Sequence, residues 1–123
     1  MNSTSLLVLT PAKVNLILRV LERRPDGFHA IWSLMHTVGL NDELMLTMQP
    51  AAASRITLRC NQADLAVDQT NLVYRAAELV LARANRTMDL SISLTKRIPM
   101  GAGLGGGSSD AAATILGLTG CWN

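Results

Sequence analysis

The chain has 123 residues, enough for one domain with one hydrophobic core. Hydrophobic residues make up 49% and charged ones 16%, which excludes a disordered segment, and a net charge of +2 with basic residues paired only at Arg23-Arg24 and Lys96-Arg97 argues against a nucleic-acid partner. No apolar run approaches the roughly 20 residues that span a bilayer, the start lacks a basic n-region, and Cys60 and Cys121 show no metal-ligand spacing; the expectation is a soluble cytoplasmic protein with reduced thiols, no membrane contact and no metal site.

There is no internal repeat and no low-complexity linker. Leu6 to Thr10 reads as a short strand, and Val14 to Leu21 as a second one after a break at Pro11. Pro25-Asp26-Gly27 is a turn, since Pro presets φ and Gly accepts a positive φ. Ile31 to Val38 is apolar and fits more than one element. Glu43 to Met48 and Arg55 to Cys60 read as strands separated by Pro50 and small alanines. From Asn71 the period changes: Leu72, Val73, Ala76, Ala77, Val80 and Leu81 fall at helical spacing to about Asn85, with Thr70 as the N-cap. Leu90, Ile92 and Leu94 alternate with Ser91, Ser93 and Thr95 as in a half-buried strand. A last helix, capped by Ser108 or Ser109, runs through Ala111 to about Leu118. Antiparallel strands with interspersed helices make the fold class α+β.

Between that strand and the last helix lies Pro99-Met100-Gly101-Ala102-Gly103-Leu104-Gly105-Gly106-Gly107-Ser108-Ser109, with five glycines in seven positions. Glycine costs folding entropy, and a plain turn needs one or two. Bare backbone lets N–H groups converge, and a helix start adds partial positive charge, so the place suits phosphate. The bland alternative is a flexible turn whose Ser-Ser-Asp caps the helix. No Lys follows the glycines, so a P-loop is excluded, and no protein-kinase signature follows either. Gly101-x-Gly103-x-x-Gly106 matches the dinucleotide fingerprint, but Lys96 to Met100 intervene after the strand and only 17 residues follow Gly106.

The loop resembles the phosphate loop of the galactokinase, homoserine kinase, mevalonate kinase and phosphomevalonate kinase superfamily. Gly105-Gly106-Gly107 before Ser-Ser, "PAKVNLIL" (11–18), "RRPDGFH" (23–29) and "NLVYRAAELV" (71–80) resemble the branch that phosphorylates 4-diphosphocytidyl-2-C-methyl-D-erythritol. The resemblance implies a left-handed β-α-β, ribosomal-protein-like N-terminal domain over 1–123, with ATP, accompanied by Mg²⁺, as co-substrate and a cytidine-diphosphate-linked methylerythritol as acceptor in the non-mevalonate route to isoprenoids.

It also implies residue roles. Lys13 falls on the catalytic lysine and Asn15 on a substrate-contacting asparagine. Phe28 stands for a tyrosine that stacks on cytosine, keeping the ring face and losing the phenol. His29 stands for the histidine that hydrogen-bonds the base, Pro99 to Ser109 for the ATP phosphate loop, and Asn71 and Lys96 for groups near the adenine end. Met35 replaces an expected aromatic. His36, Trp32 and Trp122 are read as structural. The family's general-base aspartate lies in an L-G-x-D-V-P-like stretch that this sequence does not contain, so an incomplete domain with negligible turnover is expected. Two other classes stay open at this point: a dinucleotide-binding oxidoreductase, and a non-catalytic module of the same topology.

Overall fold

A computed structural model describes residues 3–122. The alternation seen in the sequence becomes a sheet with one covered face. β4 (Met88–Thr95) buries Met88, Leu90, Ile92 and Leu94 and exposes the residues between them. β2 (His29–Pro50) does the same with Leu44, Leu46 and Met48. With β1 (Thr4–Arg23) and β3 (Arg55–Cys60) they form a four-stranded sheet in the order β1-β2-β4-β3. β1 and β4 each pair antiparallel with β2, whereas β3 lies parallel to β4. The register aligns Leu6, Leu46, Ile92 and Leu58 in one row across all the strands. A parallel pair needs a crossover, which α1 (Leu72–Ala84) supplies between β3 and β4.

α1 and α2 (Gly106–Gly120) cover the inward face, and Val73, Ala77, Leu81, Ala113 and Leu118 join the strand residues in the core. Gly117 lets α2 come down on the sheet: a Cβ there would lie 2.8 Å from Leu46 Cδ1. Cys60 and Cys121 are free thiols, each half-buried.

Several boundaries differ from the sequence reading. Pro11 does not break the chain into two strands, because β1 is an edge strand, where the missing N–H is tolerated. The ladder instead shifts register between Pro11 and Lys13, between Asn15 and Ile17, and between Val20 and Arg23. Ile31 to Val38 joins Glu43 to Met48 in the single strand β2. β4 pairs with β2 only from Glu43 onward, so the rest of β1–β2 is a two-stranded ribbon. Its apolar side chains, among them Leu18, Val20, Ile31 and Trp32, are exposed, so Trp32 does not pack in the core. Trp122 does pack there, beneath the Arg86 guanidinium. Asn71, not Thr70, caps α1, accepting from the Val73 N–H at 2.8 Å, while the Thr70 hydroxyl turns to Asp68. Gly105, not a serine, is the N-cap of α2, and Ser108 and Ser109 lie inside its first turn.

Candidate phosphate site

After β4 the chain crosses Lys96 to Ile98 and arches through Pro99 to Gly105 into α2. Gly101, Gly103 and Gly105 have φ of +72°, +75° and +70°, a region L side chains enter only with strain. Every second residue of the arch is thus a glycine by conformational need. Because the N-cap is Gly105, no side-chain oxygen occupies the first-turn N–H groups of α2. They remain donors at the positive end of the helix dipole, a place suited to an anion. Gly106 allows close seating of the helix start: a Cβ there would lie 3.0 Å from Ile98 Cγ2 and 3.1 Å from Lys96 Nζ. The loop, with Leu65, Leu72 and Lys96, lines a cavity of about 300 Å³.

Lys13 joins the loop from β1. Its backbone N–H donates to Leu104 O at 2.9 Å and its ammonium to Gly103 O at 3.0 Å. The side-chain stem runs beneath Gly105, where a Cβ would lie 2.9 Å from Lys13 Cε. Asn15, further along the same strand, pairs with Met35 and accepts on Oδ1 from the Ser33 hydroxyl at 3.1 Å. Its amide nitrogen is therefore the end left to donate.

Beneath the loop lies a buried polar cluster that the sequence reading missed. Lys96 Nζ donates to Asp42 Oδ2 at 2.6 Å and to Asp110 Oδ2 at 2.9 Å. Asp42 Oδ1 accepts from the N–H groups of Arg97 and Ile98 at 2.7 and 2.9 Å. The Thr10 hydroxyl donates to Asp110 Oδ1 at 2.5 Å. Burial, then the neighbouring Asp42, pushes the Asp110 carboxyl up to about 6. Burial also works against charge on Asp42, but hydrogen bonds from Asp110, the Ile98 N–H, Lys96 and the Arg97 N–H hold it below the usual carboxylate range. Lys96 is desolvated too, yet its bonds to Asp42 and Asp110 raise it above the ordinary ammonium value. The signal was present in the alternation. Two residues before Leu44, the inward row continues at Asp42, with Thr10 as its cross-strand partner.

The side chains of Asn71 and Lys96, expected near the adenine end, are both engaged within the fold. The Lys96 ammonium is held by two carboxylates. The amide of Asn71 is used at both ends, by the Val73 N–H and by Ala66 O at 2.8 Å. Each keeps hydrogen-bonding capacity beyond these partners, and Lys96 lines the loop cavity. Phe28 and His29 lie at the ribbon tip, where Asp26 Oδ1 accepts from the Phe28 N–H at 3.0 Å and pairs with Arg24 through Oδ2. Phe28 is 73% exposed. From Lys13 to Arg23, the residue opposite His29, a straight strand would extend about 33 Å, and the ladder shifts register twice between them, between Asn15 and Ile17 and between Val20 and Arg23. The described residues bring Lys13 and the loop together but do not wall the tip against them.

Among the described residues no helix is long and apolar enough to cross a membrane, and no group of three or more His, Cys, Asp or Glu side chains could hold a metal ion. The mostly antiparallel sheet, with the glycine loop after its last strand, is not the parallel βαβ frame that the dinucleotide fingerprint requires. That reading is not favoured.

Residues 71–123 match the profile of the GHMP kinases N terminal domain. The chain is 48% identical over 118 residues to a 4-diphosphocytidyl-2-C-methyl-D-erythritol kinase of Synechococcus sp. (strain CC9902), covering 95% of this chain and 38% of that protein. It is 46% identical over 123 residues to the kinase of the same name from Bacillus thuringiensis (strain Al Hakam), covering all of this chain and 41% of that one. The chain thus spans about two fifths of the length of the curated relatives it matches. A crystal structure of 4-(cytidine 5'-diphospho)-2C-methyl-D-erythritol kinase superposes with a TM-score of 0.77 at 43% identity, covering 95% of this chain and 41% of that one. A mevalonate kinase shares the fold at a TM-score of 0.63 and 17% identity, covering 96% and 41%. Residues 71–123 thus carry a GHMP kinase N-terminal domain, and the four-stranded sheet with its two helices has the fold of the solved kinases it superposes on.

Proposed function

We propose that the chain carries the ATP phosphate site, and part of the acceptor site, of a kinase that phosphorylates the 2-hydroxyl of 4-diphosphocytidyl-2-C-methyl-D-erythritol in non-mevalonate isoprenoid synthesis. The observation that carries the reading is the glycine arch over the uncapped start of α2 with Lys13 drawn beneath it. Phosphoryl transfer is catalysed by positioning and by donors aimed at spread negative charge. The arch and the first turn of α2 supply N–H donors for the triphosphate of MgATP, and Ser108 and Ser109 add hydroxyls. The Lys13 ammonium, parked 3.0 Å from Gly103 O, is the mobile cation that can move onto the transferring phosphoryl. Asn15, oriented by Ser33, donates to the acceptor, and Phe28 and His29 present a ring face and a hydrogen-bonding ring to cytosine.

General-base catalysis needs a carboxylate or imidazole free to reach the hydroxyl. Asp42 and Asp110 are buried, and their oxygens are engaged by Lys96, Thr10 and backbone N–H groups. The proposal therefore includes slow turnover by these residues alone. Coupled ADP release with the cytidyl substrate, run on this chain and on a chimera extended with the remainder of the Bacillus thuringiensis relative, tests it. The chimera should turn over at least about 10²-fold faster, the usual contribution of a general base. Equal rates would overturn the missing-base argument, and no substrate-dependent ADP release from the chimera would overturn the kinase reading.

A further inference from the structure

We propose that Asp42 is a positioning residue for the glycine loop, a clasp that ties the entry of the loop to its exit. The proposal rests on the phosphate-site reading above and extends it to a side chain that touches no substrate. Asp42 is fully buried, and both its oxygens are in use. Oδ1 accepts from the N–H groups of Arg97 and Ile98, the last two residues before Pro99. Those amides lie just beyond the end of the β4 ladder, so no neighbouring strand pairs them. Oδ2 takes the ammonium of Lys96, which in turn holds Asp110 in the first turns of α2. One carboxylate thus reaches the chain on both sides of the arch.

An amide cannot replace it. Asparagine at this position keeps one oxygen for the two N–H groups and turns an NH₂ toward the Lys96 ammonium, donor against donor. A neutral isostere therefore releases the path Lys96 to Ile98 while keeping the volume. Because the phosphate donors of the arch and of α2 must converge within a few tenths of an ångström, loosening the base should weaken triphosphate binding.

The test is Asp42→Asn, with Gly103→Val as the loop control. Affinity for a non-hydrolysable ATP analogue should fall about tenfold or more in Asp42→Asn, the equivalent of one lost charge-assisted hydrogen bond. Amide exchange at residues 97–107 should accelerate while that of Ile92, in mid-strand, stays slow. Loss of analogue binding in Gly103→Val with wild-type affinity and exchange in Asp42→Asn would overturn the clasp and leave the phosphate site standing. Unchanged affinity in Gly103→Val would overturn the phosphate-site reading itself. Exchange in the unmutated chain decides the matter even where Asp42→Asn fails to fold. The Arg97 and Ile98 amides should exchange as slowly as ladder amides of β4, and exchange at the rate of the exposed arch would overturn the clasp.

Discussion

Gly105→Ala tests whether the loop and Lys13 act as one unit. At φ +70° the alanine Cβ costs about 1–2 kcal/mol on its own. It would also arrive 2.9 Å from Lys13 Cε and 3.2 Å from Cγ, well inside the roughly 3.5–4.0 Å of an ordinary carbon contact. The stem must shift at two carbons, although it is tethered at its tip to Gly103 O. Displacing it adds about 1 kcal/mol, the low end for overpacking, because a lysine stem yields more easily than a core side chain. Replacing Lys13 by alanine first removes the obstacle, so in a Lys13→Ala background Gly105→Ala should cost only the backbone strain. Urea unfolding of the two single variants and the double variant gives the coupling, expected at about 1 kcal/mol in favour of the double variant. Affinity for the ATP analogue supplies a second readout: each single change weakens it, and the combination weakens it no further than Lys13→Ala alone. Additive stability losses, or an extra loss of affinity in the double variant, would show that the loop and Lys13 are independent.

The elements that the sequence made legible are those with a strict period. Leu90, Ile92 and Leu94 declared β4, and the spacing from Leu72 to Leu81 declared α1, because each buries one face against a single layer. What escaped depends on partners distant in sequence. Pro11 reads as a break until β1 is known to be an edge strand, where no neighbour asks for its N–H. Serines at 108 and 109 read as caps, but the arch brings Gly105 in with a left-handed φ and starts the helix earlier. The glycine run revealed the arch because unusual backbone needs unusual residues. Its support did not show in the same way: Thr10, Asp42, Lys96 and Asp110 span a hundred residues and meet only through the sheet register and the placement of α2. The two carboxylates that engage Lys96 were hidden for the same reason, since Asp42 lies 54 residues away in sequence.

Phe28→Ala should leave thermal stability nearly unchanged, since the ring is 73% exposed. In the extended chimera it should raise KM for the cytidyl substrate by a factor worth about 1–3 kcal/mol of stacking, with KM for ATP unmoved; equal effects on both would dissolve the cytosine assignment. Gly117→Ala should lower Tm despite the roughly 1 kcal/mol helix-propensity gain of alanine, because its Cβ would meet Leu46 Cδ1 at 2.8 Å and Leu6 Cδ2 at 3.2 Å; an unchanged or raised Tm would mean the α2–sheet contact yields freely. The pH dependence follows from the buried carboxylates. Asp110 has an ordinary value of 3.8 and is pushed up to about 6 by burial and by Asp42. Between those values the folded chain holds a proton that the unfolded chain has released, so this contribution to stability is complete below pH 3.8 and disappears as pH rises through about 6. Asp42 acts in the opposite sense, its contribution present above 3.8 and lost only in stronger acid. Lys96, raised from 10.5, changes nothing until strong alkali. Urea midpoints should therefore decline from pH 4.5 to pH 7, and Asp110→Asn, which cannot titrate, should flatten the slope. A wild-type profile that is flat or rising across that window, or an equal slope in Asp110→Asn, would mean that another group sets the pH response and that Asp110 is ionised throughout.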